Sequence, residues 1–146
     1  MIVLLDTDVF SILQYEQPSG AVLQSRLDRL SGDEIRVSIV SFQEQARGWL
    51  AYINRARKPD QVLKGFSYLH DLLRHYDARQ VIPFDEPAMK EFLNLQKLRI
   101  RIGTSDLRLA SIAKANRFKL LSRNLRDFRQ VPGLDVEDWT AQEEAS

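Results

Sequence analysis

The chain has 146 residues, 44% hydrophobic and 28% charged, with a formal net charge of +1 and no cysteine. That is the size and mix of one ordinary globular domain, able to bury about 68–70% of its unfolded-chain surface without covalent staples. The missing cysteines exclude disulfides, cysteine-based zinc sites and thiol nucleophiles, and the near-neutral charge excludes a global attraction to polyanions.

The run Ile2-Val3-Leu4-Leu5 is short and wholly apolar, as expected of a central parallel strand covered on both faces. It meets Asp6 at once and has no basic segment before it, so it does not read as a signal peptide. No apolar run nears the roughly 20 residues of a membrane span, and the expected location is the cytoplasm. Thr7 or Asp8 is placed to cap a short helix over residues 9–13, ended by Pro18-Ser19-Gly20. Val22, Leu23, Leu27 and Leu30 repeat at helical spacing over residues 21–30. Ile35, Val37 and Ile39 then alternate with Arg36 and Ser38, which predicts a strand over residues 35–40 with one face better buried.

A helix is expected from Phe42, with Phe42, Ala46, Trp49, Leu50 and Ile53 on one side. A basic connector, residues 54–59, leads to the cleanest amphipathic stripe in the chain, which runs from Val62 through Phe66, Leu69 and Leu72 to Tyr76. The two helices are expected to form a hairpin. Residues 80–84 read as a short strand interrupted by Pro83, and Pro87 suits the first turn of the next helix. After Gly103, Thr104 or Ser105 caps a helix from Asp106 to Ala115 that is apolar nearly all round, hence buried against the sheet. Lys119-Leu120-Leu121-Ser122 is a strand, and Leu134-Asp135-Val136 a short last one. Strands alternating with helices predict a single α/β domain of three layers, residues 1–139, with a central, mainly parallel sheet flanked by helices. Residues 140–146 form a polar C-terminal tail that is expected to fray.

Several of these apolar runs lead into a carboxylate or its amide. Asp6 follows the first strand, Glu44 follows the second, Asp106 opens the buried helix, and Asn124 with Asp127 follows the last long strand. The carboxyl ends of strands border the ligand crevice of an α/β sheet. Acids gathered there repel: about 4 Å apart, a like-charge pair costs roughly 4 kcal/mol at an effective dielectric of 20. Protonation or a bound cation relieves that cost. Taken singly, each acid also reads as a helix cap or a first-turn acid complementing the helix dipole. Together they are hard oxygen donors with no nearby histidine, a set suited to Mg²⁺ or Mn²⁺ and to metal-assisted phosphodiester chemistry. Thr7, Thr104 or Ser105 would orient a water or a ligand carboxylate.

Residues 99–129 carry nine basic side chains against Asp106 and Asp127, a distribution suited to gripping phosphates or simply to a solvated face. Other chemistries fit poorly. His70 and His75 lie five apart on one helix and face different ways, so they make a weak metal pair. The six glycines form no phosphate-binding loop, and no GxSxG elbow occurs. Trp49 and Trp139 lack aromatic companions at stacking spacing and read as core or interface groups.

The opening Leu4-Leu5-Asp6-Thr7-Asp8-Val9 resembles that of PIN-domain nucleases. Ser38-Ile39-Val40-Ser41 through Glu44 to Gly48 resembles that family's second motif, an acid with glycine four residues on. Gly103-Thr104-Ser105-Asp106-Leu107-Arg108-Leu109-Ala110 resembles its third, and Leu120-Leu121-Ser122-Arg123-Asn124 with Asp127-Phe128 and Val131-Pro132-Gly133-Leu134 its close. Within the family the chain is most similar to the VapC-like toxins of bacterial toxin–antitoxin pairs. The resemblance implies a Mg²⁺-dependent endoribonuclease, inhibited by a small antitoxin and forming a homodimer. It implies Asp6, Glu44 and Asp106 as metal ligands, completed by Asn124 or Asp127. Arg108, Arg123 and Arg126 are the candidates for holding substrate phosphates. Two positions depart from the pattern: Asn124 stands where an acid is often found, and Gln45 where an apolar residue is common. The region from about Phe42 to Tyr76 resembles the part that contacts antitoxin or a second subunit. Two other readings of the chain are a non-catalytic RNA-binding or regulatory module that keeps the fold, and an enzyme of small phosphorylated molecules.

Overall fold

The computed structural model describes residues 1–141. Five strands form one sheet: β1 (Val3–Leu5), β2 (Ile35–Ser38), β3 (Val81–Ile82), β4 (Lys119–Leu121) and β5 (Val136–Glu137). Their order is β3-β2-β1-β4-β5, and every pairing is parallel. The chain winds from β1 outward through β2 to β3, then crosses back to lay β4 on the other side of β1. The order therefore reverses between β1 and β4, the place where doubly wound sheets keep their ligand crevice.

Among the described residues, seven α-helices accompany the sheet: α1 (Thr7–Gln14), α2 (Gly20–Leu27), α3 (Ile39–Arg55), α4 (Pro59–His75), α5 (Glu86–Lys97), α6 (Thr104–Asn116) and the single turn α7 (Leu125–Phe128). Alternation along β1 decides which core each residue joins, because successive strand side chains point to opposite faces. Leu4 packs with Leu120 and with α5 and α6 through Phe92, Leu95, Leu109 and Ile112. Val3 and Leu5 pack on the other face with Val9 and Ile12 of α1, Leu23 and Leu27 of α2, and Trp139. Two cores around one sheet make the expected three layers. Trp139 is a core group, as anticipated, and Arg26 lies over its ring.

Several boundaries differ from the sequence expectation for identifiable reasons. The second strand stops at Ser38 rather than residue 40, because the Ser38 hydroxyl accepts from Val40 and Ser41 N–H and starts α3 there. The third strand shrinks to two residues before Pro83, which has no N–H to give a ladder. The last one shifts to Val136–Glu137. Neither Thr104 nor Ser105 caps α6: Gly103 is the capping residue, without a side-chain bond, and Thr104 is the first helical position. Residues 142–146 of the predicted tail lie outside the described residues.

The hairpin forms, but its stripe is only partly covered. Leu72 is buried, while Leu63, Phe66 and Leu73 are more than half exposed, up to 72% for Leu63. Gly65 lets α3 and α4 close together, since a Cβ there would sit 2.5 Å from Ile53 and 3.0 Å from Tyr52. Trp49 is not without companions. Tertiary packing stacks it on Tyr68 at 4.4 Å with nearly parallel rings, and sets Tyr52 edge-on to it.

Candidate active site

The acids meet at the carboxyl ends of β1 and β4. Asp6, Asp8, Glu44, Asp106, Arg123 and Asn124 line one open pocket of about 510 Å³, together with Thr7 and Ser11. Asp6 is the deepest, with 6% of its surface exposed. It does not stand free, as the expected capping by Thr7 or Asp8 implied. Asp6 is itself the N-cap of α1, and its Oδ1 accepts from Val9 N–H at 2.7 Å. Ser122 also hydrogen-bonds to it.

Burial dominates the electrostatics. It pushes the Asp6 carboxyl up to about 6, against the Ser122 and Val9 hydrogen bonds, with Asp8 and Asp106 repelling in the same direction as burial. Asp106, half-buried in the first turn of α6, is raised by burial and then by Glu44 and Asp127. The carboxylates therefore feel one another across elements far apart in sequence.

Glu44 is held by α1. Thr7 Oγ1 donates to Glu44 Oε1 at 2.6 Å and lies 2.9 Å from Ser41 Oγ. Its neighbour Gln45, the departure from the family's apolar position, is absorbed by a polar seam between α1, α3 and α4. Gln45 donates to Ser11 Oγ at 3.0 Å, exchanges amide hydrogen bonds with Gln14, and accepts from Tyr76 OH at 2.6 Å. Burial, then the Glu44 and Tyr15 charges, push the Tyr76 phenol up, so it stays a donor. The seam replaces apolar packing with satisfied hydrogen bonds and keeps Glu44 beside Thr7.

The last position is shared. Residues 124–128 turn helically, and Asn124 Nδ2 donates to Asp127 Oδ2 at 2.9 Å while its backbone N–H donates to Ser122 Oγ. Asn124 lines the pocket; Asp127 stands behind it as that amide's partner. One of the two amide N–H donors goes to Asp127, and that bond leaves the amide oxygen as the atom Asn124 can offer a cation. Of the candidate phosphate groups, only Arg123 lines the pocket. Arg108 lies over the Phe92 ring, and Arg126 is exposed outside the pocket lining. Thr104 and Ser105 do not line the pocket either, whereas Thr7 does. His70 is exposed and His75 faces Gln14, so neither joins the acids.

Among the described residues, no three acidic or histidine groups are already gathered closely enough to hold an ion. In this arrangement Asp6 accepts from Val9, Glu44 from Thr7 and Asp127 from Asn124. The donor chemistry nevertheless suits a divalent cation. The lining side chains able to ligate a cation do so through oxygen, and burial makes the deepest carboxylate costly to ionise without a counter-charge.

Sequence reasoning missed the parts played by Ser122, Ser41 and Asp8. Ser122 ends a strand between two motif residues, and its position was the available signal. Asp8 was read only as a cap, but it pairs with Arg123 across 115 residues, which no local pattern discloses.

Residues 3–134 match the PIN domain family model. The chain belongs to the PIN-domain family. The acid pocket of this PIN domain is thus built on the motifs that carry the family likeness. Over 43 residues it is 42% identical to Ribonuclease VapC1 of Rickettsia felis, a stretch covering 30% of this chain and 32% of that protein. The chain therefore aligns with about a third of that relative's length. Among solved structures, FitAcB from Neisseria gonorrhoeae superposes with a TM-score of 0.71 at 22% identity, covering 94% of this chain and 98% of that one. VapBC2 from Rickettsia felis, bound to a promoter DNA fragment, gives 0.68 at 23% identity, covering 95% and 99%. At such identities these structures show a shared fold.

Proposed function

We propose that this PIN domain is a metal-dependent endoribonuclease, the toxin of a toxin–antitoxin pair. The observation that carries the reading is the pocket at the β1–β4 switch point, where Asp6, Glu44 and Asp106 converge. The local identity to a ribonuclease and the fold shared with toxin–antitoxin complexes support it. Asp6, Glu44 and Asp106 would hold Mg²⁺ or Mn²⁺, with Asn124 as a neutral fourth donor and Asp127 orienting it. An ion held there would lower the pKa of a water, so that hydroxide is available to attack a phosphodiester, and would supply counter-charge for the leaving oxygen. The protein's own contribution is positional. Thr7 fixes the rotamer of Glu44, Ser122 and Val9 N–H hold Asp6, and the open pocket admits a chain rather than enclosing a small molecule. Such a protein works in the cytoplasm, is restrained by an antitoxin and forms a homodimer.

The exposed apolar hairpin supports a protein partner. Ile39, Phe42, Leu72, Leu73 and Tyr76, with Phe84, line a groove of about 540 Å³. Exposed apolar area of this kind marks an interaction surface. A second reading, a PIN-like module that binds RNA without cutting it, is favoured by Asn124 and by the carboxylates being turned to their own hydrogen bonds. Single-stranded RNA incubated with the protein separates the two. Cutting in Mg²⁺ or Mn²⁺ that stops in EDTA is expected; RNA left intact at high protein concentration in both ions, but bound regardless of EDTA, would establish the binding module instead.

A further inference from the structure

Arg123 is the one cation among the residues that line the acid pocket, and Asp8 holds it. Arg123 Nε donates to Asp8 Oδ2 at 2.8 Å and Nη2 to Oδ1 at 2.9 Å. This is the parallel two-bond geometry that fixes a guanidinium's orientation as well as its place. A guanidinium has five N–H donors. The pair uses the Nε–Nη2 edge and leaves the Nη1 edge open. Both side chains are about half exposed, so that edge can be reached from solvent.

The pairing also decides where the charge does not go. Asp6 and Asp138 lie within electrostatic reach of Arg123. Without Asp8, the charges left within reach are Asp138 and, in the acid cluster, Asp6, and the guanidinium would turn toward them instead of the rim. With Asp8, the cation stays at the rim, tied to the first turn of α1, while the loop after β4 carries Asn124 beside it.

We propose that Asp8 is a positioning residue for substrate: it anchors Arg123 at the pocket rim so that the open edge of the guanidinium grips a backbone phosphate of single-stranded RNA. This rests on the nuclease reading for the identity of the substrate. It adds a division of labour among the acids. Asp6, Glu44 and Asp106 face a cation, whereas Asp8 serves an arginine.

The sign of the effect distinguishes this role from general electrostatics. Removing a negative charge beside a polyanion should tighten binding. Loss of an anchor should weaken it. The test is fluorescence anisotropy of a labelled single-stranded RNA in EDTA, where nothing is cut, with wild type, Asp8→Ala, Arg123→Gln and the double variant across a salt series. Arg123→Gln is expected to weaken binding about 3- to 10-fold and to lower the salt slope by about 0.7, one phosphate contact on a single strand. Asp8→Ala is expected to weaken it several-fold, and to add nothing once Arg123 is gone.

Tighter or unchanged binding by Asp8→Ala overturns the proposal. So does an Asp8→Ala effect that persists in the Arg123→Gln background. Weaker Mn²⁺ binding by Asp8→Ala in that background, read by calorimetry, would make Asp8 a cation ligand and overturn it as well. Wild-type protein that cuts RNA, with Asp8→Ala binding undiminished, removes this inference and leaves the nuclease standing. Wild-type protein that binds RNA with the expected variant pattern but cuts none removes the nuclease and leaves the anchor. Wild-type protein that binds no RNA removes both.

Discussion

Helix α3 separates two hollows of nearly equal size and opposite chemistry. On one face of its first turns, Ser41, Glu44 and Gln45 meet α1 and the acid pocket of about 510 Å³. On the other, Ile39 and Phe42 line the apolar groove of about 540 Å³. The polar face is satisfied within the chain: Thr7, Ser11, Gln14 and Tyr76 supply the partners of Glu44 and Gln45. The apolar face is unfinished, with Ile39 40% and Leu73 69% exposed. Each hollow stores a different unrelieved cost. Asp6, Glu44 and Asp106 bring like charges together, and the groove leaves apolar side chains open to solvent. A cation would relieve the first and a protein surface the second, so the two hollows can be tested apart.

The largest effect should come from the acids. Asp106→Asn should lower RNA cleavage in Mg²⁺ by roughly 100-fold or more, since losing even an outer partner of a metal ligand costs about 10–100-fold. Steady-state rates on a labelled RNA check this, and activity within a few-fold of wild type would remove Asp106 from the site.

Asp6→Asn should do the opposite to stability. The folded carboxyl sits near 6 against an ordinary 3.8, so between those values the native state holds more protons than the unfolded one. The stabilising contribution is whole below about pH 4 and is lost as pH rises through 6. At pH 7 that loss is about 3 kcal/mol at most. Asparagine caps a helix as well as aspartate does and carries no charge. Metal-free Asp6→Asn should therefore be the more stable protein at pH 7, with a flatter pH profile between 4 and 7, by urea denaturation. Equal stability at both pH values would show that Asp6 is not strained by its burial.

On the hairpin side, Gly65→Val should cost about 1–3 kcal/mol, because the added atoms meet Ile53 and Tyr52 at the α3–α4 contact. The motif glycines Gly48 and Gly103 have open space where a Cβ would go, so alanine there should be much milder. A thermal melt compares the three. Smallest in its effect on this chain is Leu73→Asp, expected to change stability by no more than about 0.5 kcal/mol and leave cleavage intact. If the groove seats an antitoxin, the same change should weaken that complex at least several-fold in a titration. Unchanged affinity would move the partner elsewhere.

Much of the fold was legible because its signals are local. β1 and β4 are apolar on both faces, and α6 is apolar nearly all round, so each announced a buried place beside the sheet. Proline and the side-chain caps then corrected the ends, at Ser38 and Pro83, by hydrogen bonding that periodicity does not register. The acids were legible as a set because each follows an apolar run or opens a helix. Their partners were not. Asp6 with Ser122, Thr7 with Glu44, and Asp8 with Arg123 join residues 37 to 116 positions apart. The stack of Trp49 on Tyr68 and the uncovered part of the α4 stripe escaped for the same reason.

The sequence by itself determined the α/β class and the PIN family's pattern, with acids at strand ends and no cysteine among them. Side-chain period and chain order suffice for that. Only the tertiary structure decided that Asp6 is a cap as well as a site acid, that Asp127 stands behind Asn124, and that Arg123 is the cation at the rim. Those outcomes depend on which carboxylate reaches which donor first across the sheet. That is a contest of distance and burial in space, and sequence neighbours do not settle it.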